Sequence, residues 1–301
     1  MSSADIATPP QPHDRRTTPA RGDLAAAHLR GRVEAERFAD PVAMTVAAPL
    51  ADMRPRPEPA ARLDTQLLAG ERVAAYEIGA DWVWAQAETD GYVGYVPRAA
   101  LAEPGARATH RVATRAAQIY AEPDIKAPVL ARLPAPAGVA VAAKEDRFAV
   151  LAGGGYMPLA QLAALTAPAG DWVAEAAGYL GAPYLWGGRS ADGLDCSALV
   201  QLSLAAAGHA APRDSDMQEA ALGRALPPEA DLLRGDLVFW RGHVGVMEDA
   251  ETLLHANAFH MSVAREPLKA AQIRILEAGD GEITALRRLG DIAKTPKHHS
   301  F

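Results

Sequence analysis

The sequence predicts a multidomain protein in which two small β-barrels precede an α+β domain. Length is the first reason: 301 residues exceed the ~100–200 of a typical single domain. The second is a middle region of short β-type runs separated by Gly, Pro and Asp turns. Third, beyond Thr166 helical signals come first and strand signals follow, the order of an α+β unit.

Composition narrows the partners. A 49% hydrophobic content is enough to fill cores, and 30 basic against 37 acidic residues give a formal net charge of -7. That balance argues against nucleic acid or an anionic membrane as partner. No apolar run reaches the ~20 residues needed to cross a bilayer. The stretch Met1–Arg21 is polar and lacks the apolar centre of a secretory signal, so a cytoplasmic protein is expected. One cysteine excludes an internal disulfide.

Residues 1–43 read as an extended, proline-bearing segment with a short helix near Asp23–Arg30. The first barrel, 44–104, is expected from Met44-Thr45-Val46, Leu67-Leu68, Arg72–Tyr76, Trp82–Ala85 and Gly91–Val96, with turns at Gly70 and Asp90-Gly91. Residues 105–166 repeat the theme without the tryptophan-rich strand, and Pro158–Leu162 stands where Pro97–Leu101 stands in the first copy. Within 167–292, Asp171 caps a helix carrying Trp172, Val173, Ala176, Ala177 and Leu180 on one face and ended by Gly181-Ala182-Pro183. The apolar run Ala198–Ala207 forms the next, capped by Asp195 and closed by Gly208. Ser215-Asp216-Met217-Gln218 is a capping-box pattern that starts a third. Strands are expected at Leu237–Trp240, His243–Met247, Thr252–Ala256, Gln272–Leu276 and near Ile283–Leu286. Residues 293–301 read as a disordered tail whose His298 and His299 are too few for a metal site.

Cys196 opens the second helix. Unpaired N–H groups and the helix dipole favour an anion there, so its thiol pKa is expected to fall. On position alone, an inert core cysteine is an equal reading. A thiolate nucleophile needs a base held by a third polar group. Of the nine histidines, two stand out. If residues 248–251 reverse the chain about residue 249, His243 and His255 face each other on neighbouring strands, with Cβ atoms ~5 Å apart. A lone strand histidine is usually just hydrogen-bonded and half-buried; a registered pair suggests catalysis. Structural zinc prefers clustered ligands, and no C-x-x-C or H-x-x-x-H unit occurs, so neither metal nor cofactor is expected.

The order Leu67–Val73, Asp81–Ala85, Asp90–Pro97 resembles a bacterial SH3-like domain. Pro183-Tyr184-Leu185-Trp186-Gly187-Gly188, Asp195-Cys196-Ser197, Gly235–Trp240, Gly242–Val246 and Leu254-His255-Ala256 resemble the NlpC/P60 family of cysteine peptidases. The resemblance implies two SH3-like barrels followed by a papain-like α+β NlpC/P60 domain. It implies Cys196 as nucleophile, His243 as base, His255 as the orienting member and Tyr184 beside the oxyanion. Within its γ-D-glutamyl-L-diamino acid endopeptidase branch it implies a muropeptide substrate with a free N-terminal L-Ala. An ammonium needs carboxylates and hydroxyls, and the candidates are Asp195, Ser197, Ser215 and Asp214, the last equally readable as a helix cap. Tyr92 and Glu58 are expected from the first barrel, with Glu71 as fallback for Glu58, and Trp186 joins the substrate-binding set. The one departure is Ala198, where the family commonly has glycine. The expected activity is hydrolysis of the γ-D-glutamyl–diamino acid bond, with meso-diaminopimelate as the diamino acid, in murein peptide recycling. An amidase or acyltransferase on another substrate, or a catalytically silent wall-binding protein, are the alternatives.

Overall fold

In the strands Val42–Val46 and Arg72–Ile78 of the computed structural model, which describes residues 13–290, Met44, Val46, Val73 and Ala75 are buried on one face. They join Trp82–Ala87, Val93–Pro97 and Leu101–Ala102 in a five-stranded antiparallel sheet. The hairpin of Leu50–Met53 and Thr65–Leu68 adds Ala51, Met53 and Leu67 to the same core. Tyr76, Trp84 and Val93 face the other way. There the N-terminal segment covers them with Leu24, Ala26 and Leu29, from a small sheet of Ala20–Arg21, Leu24–Ala26 and Arg37–Ala39. The expected short helix is only a 3-10 turn, Ala27–Leu29. Its alanines are held by pairing with Arg37–Ala39, which outweighs their helix propensity.

A second β unit follows. Ala116–Tyr120, Val129–Pro134, Val141–Glu145, Phe148–Leu151 and Tyr156–Pro158 form one antiparallel sheet, and His110–Val112, Gly138–Val139 and Leu162–Ala164 another. Both units end alike. Pro97 (φ -55, ψ 127) leads into the 3-10 turn Arg98–Ala100 and then Leu101; Pro158 (φ -58, ψ 126) leads into Leu159–Gln161 and then Leu162. Proline suits this corner because its fixed φ presets the turn.

The last unit packs α1 (Trp172–Ala177) and α2 (Cys196–Ala206) on a sheet. Asp171 caps α1 by accepting from Val173 and Ala174, and Asp195 caps α2 by accepting from Ala198. Nearly all of α2 is buried, as expected of a helix apolar on every side. The sheet is antiparallel, in the order Arg224–Leu226, Ala285–Arg288, Asp236–Trp240, His243–Met247, Thr252–Asn257, Ser262–Pro267. Leu237, Phe239, Val244, Val246 and Leu254 share a core with Ala198, Leu199 and Leu202 of α2. Val238, Trp240, Met247 and Leu253 meet Ala271 and Ile275 of a further helix.

Two expectations fail here. Gln272–Leu276 belongs to that helix, α4 (Leu268–Glu277), and is not a strand. The decisive spacing is Ala271 to Ile275, both buried four residues apart, whereas Ile273, which a strand would place beside Ile275, is exposed. α3 (Ser215–Ala221) starts without a capping box: Asp214 is its N-cap and makes no side-chain cap bond. Gln218 turns inward instead and donates to the carbonyls of Ser197 and Pro212. The tail His298 and His299 lie outside the described residues.

Arginines fasten the units together. Buried Arg189 donates to the Gln66 carbonyl at 2.7 Å and to both carboxylate oxygens of Glu71 at 3.0 and 3.1 Å. From the second β unit, Arg111 donates to the Ala206 carbonyl at the end of α2, and Arg115 to the carbonyls of Gly178 and Leu180 just past α1. Cations at helix C-termini complement the dipole.

Candidate active site

Cys196 is the first residue of α2, and the N–H of Val244, the residue after His243, is close enough to its sulfur to favour the thiolate. The thiol therefore sits at the start of the His243–Met247 strand. Its pKa is pushed up to about 12, first by burial and then by the charge of Asp195; the Val244 and Ser197 N–H groups pull the other way but are outweighed. The expected lowering is thus overturned. Burial disfavours the thiolate more than the helix N-terminus stabilises it. Burial, then His255 and Arg274, push His243 down to about 3. The resting pair is a neutral thiol and a neutral imidazole, and no hydrogen bond joins them among the described residues.

His243 Nε2 and His255 Nδ1 are 2.8 Å apart, with ring centroids at 5.1 Å. The pair does form, but in a different register. Val246 faces Leu254 and Met247 faces Leu253, so the turn centres on Ala250, one residue later than expected. Asp249 draws it there by accepting from the N–H groups of Glu251 and Thr252. Continuing that register, Gly245 lies across from His255, and His243 sits two residues along on the same face. Two histidines on such a diagonal still touch. Gly245 leaves the room: a Cβ there would stand 2.7 Å from Leu253 and 3.2 Å from the His255 Cβ.

Tyr184 is half-buried near Cys196 and Asp195, and burial followed by those two charges raises its pKa, so its hydroxyl stays a proton donor. The loop after it is shaped by Gly187, at φ +77, whose added Cβ would meet Leu63 of the first β unit at 2.8 Å.

A cavity of about 260 Å³ opens beside Cys196. Asp195, Ser197, Ser215, Asp214, Tyr92 and the exposed Trp186 all line it. Glu58 does not. It is an exposed residue paired with Arg56, and the first β unit's carboxylate in the cavity is buried Asp64, held by Arg15 at 3.3 Å and Arg62 at 3.1 Å. Glu71 is equally committed, to Arg189. Asp195 and Ser197 line the cavity but are engaged: buried Arg213 donates to both oxygens of Asp195 at 3.0 and 2.7 Å and to the Ser197 hydroxyl at 3.0 Å. Asp214 is more available. Tyr92 Oη donates to its Oδ2 at 3.2 Å and Arg16 at 2.8 Å, which leaves Oδ1 for a further donor. Burial raises the Asp214 pKa despite Arg213, Arg16 and Tyr92.

Two family profiles match: that of the bacterial dipeptidyl-peptidase Sh3 domain over residues 53–101 and that of the NlpC/P60 family over residues 181–274. The chain carries an NlpC/P60 domain behind a bacterial SH3 domain. Among similar sequences, the gamma-D-glutamyl-L-lysine dipeptidyl-peptidase of Bacillus subtilis is 37% identical over 94 residues, 29% of this chain and 31% of that protein. The bifunctional muramidase/DL-endopeptidase CwlT of the same organism is 39% identical over 92 residues, 28% of this chain and 27% of that one. These alignments span about a third of the relatives' length or less. The crystal structure of an NlpC/P60 family protein from Bacillus cereus superposes on 82% of this chain and 99% of its own, with a TM-score of 0.69 at 20% identity. That likeness is one of fold.

Four residues of this NlpC/P60 site escape a reading of the sequence alone. Arg213 and Asp64 are signalled only by position, the first beside Asp214 and the second at the start of the Thr65–Leu68 strand. Arg16 comes from the segment read as extended, and binds Asp14, Asp214 and Asp216 at 2.7–2.8 Å. Glu266, on the Ser262–Pro267 strand, accepts from His255. His255, His260 and Glu266 bring ligand atoms within 4.8 Å of one another, but the carboxylate already accepts from Arg274, and a guanidinium there opposes a metal cation.

Proposed function

We propose that the chain is a cysteine endopeptidase that hydrolyses the γ-D-glutamyl–L-diamino acid bond of peptidoglycan peptides bearing a free N-terminal L-Ala, with meso-diaminopimelate as the diamino acid. The observation that carries this reading is one cavity lined by the buried Cys196 together with Tyr92 and the carboxylates Asp64 and Asp214, which Arg15, Arg16 and Arg62 also line. The name of the Bacillus subtilis relative, gamma-D-glutamyl-L-lysine dipeptidyl-peptidase, supports a γ-D-glutamyl–diamino acid bond, with lysine as the diamino acid in that protein. An end closed by the first β unit admits a free ammonium and excludes a blocked one. The fitting substrate is therefore a peptide already released from the glycan, processed inside the cell during murein recycling.

In this reading the Cys196 thiol gives its proton to His243 Nδ1 as sulfur attacks the γ-carbonyl. The oxyanion receives the Tyr184 hydroxyl and the Cys196 N–H, in a role worth about 3–4 kcal/mol in comparable sites. Collapse breaks the C–N bond, and the leaving amine takes the proton from His243. Water, deprotonated by the same imidazole, then attacks the thioester; the C–S bond breaks, L-Ala-D-Glu leaves, and His243 returns the proton to the Cys196 sulfur. His255 orients His243 throughout. We also read the second β unit as a second SH3-like domain, which the shared proline-led exit supports. A nucleophile at the head of a helix packed on an antiparallel sheet supports a papain-like core.

Mass spectrometry of L-Ala-γ-D-Glu-meso-diaminopimelate after incubation tests the proposal. The expected products are L-Ala-D-Glu and diaminopimelate, with no turnover by Cys196→Ala and little on substrate acetylated at L-Ala. Unchanged cleavage by Cys196→Ala rejects the mechanism, and equal rates on the acetylated peptide reject the free-amine requirement. Transfer products with added amines would favour an acyltransferase.

A further inference from the structure

His255 is fully buried and both of its ring nitrogens are bonded: Nδ1 lies 2.8 Å from His243 Nε2, and Nε2 lies 2.8 Å from Glu266 Oε1. Arg274 of α4 also donates to Glu266 Oε1. Base and orienting histidine therefore continue into two further groups, held on two further elements, the Ser262–Pro267 strand and α4.

The proton positions follow from donor chemistry. An ionised carboxylate only accepts, and a neutral imidazole carries one N–H and one lone pair. Glu266 is held ionised: burial acts to raise its pKa, but the hydrogen bonds from His255 and Arg274 outweigh that and lower it. His255 must then carry its proton on Nε2 and accept at Nδ1. His243 must in turn donate from Nε2, which leaves its lone pair on Nδ1. That nitrogen is the one not bonded to His255, and it is the one able to serve the thiol. A neutral histidine relay with no carboxylate at its end could run in either direction, and the opposite direction leaves His243 with a proton where a base is needed.

We propose that Glu266, secured by Arg274, is a positioning residue that sets the tautomer of His255 and through it the basic nitrogen of His243. It acts through another residue and touches neither substrate nor thiol. When His243 takes the thiol proton on Nδ1 it still donates from Nε2, and the Glu266 carboxylate offsets the imidazolium across neutral His255. The other charged or titratable groups around the relay are Arg274, His260 and Asp195. The inference rests on reading Cys196 and His243 as nucleophile and base.

The test compares full-length wild type with Glu266→Leu, which removes the acceptor, and Glu266→Gln, which keeps a carbonyl acceptor and loses the charge. Nitrogen-15 NMR of labelled histidines at neutral pH should give His243 as the Nε2–H tautomer in wild type and a mixture in Glu266→Leu. On the tripeptide, kcat should fall about 10²–10⁴-fold for Glu266→Leu with KM little changed, and Glu266→Gln should recover part of the loss. A folded Glu266→Leu protein with an unaltered His243 tautomer overturns the proposal. If that variant does not fold, Glu266→Gln decides: slower alkylation of Cys196 by iodoacetamide across the pH range supports it, and an unchanged pH–rate profile overturns it. The NMR and alkylation readouts need no substrate. A wild type that fails to cleave the tripeptide therefore rejects the proposed substrate and still leaves Glu266 decided.

Discussion

Cys196 illustrates how burial can reverse a local argument. A helix N-terminus draws a thiol pKa down, yet here desolvation and the neighbouring Asp195 lift it to about 12. The expected outcome is slow iodoacetamide labelling at pH 7 in the absence of substrate, with a rate rising about tenfold per pH unit while the thiolate fraction grows. Fast labelling at pH 7 would contradict the burial argument. Asp214 gives a second pH signature. Its carboxyl pKa is raised in the folded protein, so the ionised form, which the proposed function needs to hold an ammonium, is lost earlier as pH falls than for an ordinary aspartate. The substrate's α-amine loses its own proton above a pKa of about 8. KM should therefore rise on both sides of neutrality, and Asp214→Asn should raise it while flattening the acidic limb. Arg213 belongs to stability more than to binding. It is buried with Asp195, and Arg213→Met leaves that carboxylate unpaired, so urea unfolding should register a loss of about 3–5 kcal/mol.

At the scale of elements, the strand pair that carries the histidines tolerates an error in its reading. Moving the turn centre from residue 249 to Ala250 shifts the pairing by two positions and leaves the same side chains on the same face. The histidine pair was legible in the sequence for that reason, although its register was not. The room between them depends on Gly245. Gly245→Ala drives a Cβ into the Leu253 side chain and against His255, and should cost about 1–3 kcal/mol in thermal unfolding together with a fall in kcat. Preserved kcat in that variant would mean that the ring positions do not depend on this gap. Helix α4 was misread because Ile273, Ile275 and Leu276 give a short apolar run. Only its packing face, Ala271 and Ile275 against Trp240 and Leu253, distinguishes helix from strand.

For the whole molecule, the cavity exists because separate units meet. Arg16, Asp64 and Tyr92 come from the N-terminal segment and the first β unit, while Cys196, Asp214 and Trp186 come from the NlpC/P60 domain. Arg189, bonded to Gln66 and Glu71, is the largest buried polar link between them. Arg189→Ala should loosen that junction, raising KM for the tripeptide with kcat less affected and lowering the unfolding temperature. A variant with wild-type KM would show that the junction does not set the amine end of the cavity.

The sequence by itself determined what local patterns control. Short β-type runs located the two β units, while Asp171, Asp195 and Gly208 marked helix ends. The single cysteine and the parity of two histidines named the candidate reactive groups. The tertiary structure decided what depends on residues far apart in the chain. It engaged Asp195 by placing Arg213 on both its oxygens. It replaced Glu58 with Asp64, gave His255 its carboxylate in Glu266, and turned the Cys196 pKa upward. The physical reason is common to all four. Desolvation and pairing of charge depend on which groups surround an atom in space, and local spacing along a chain carries little of that information.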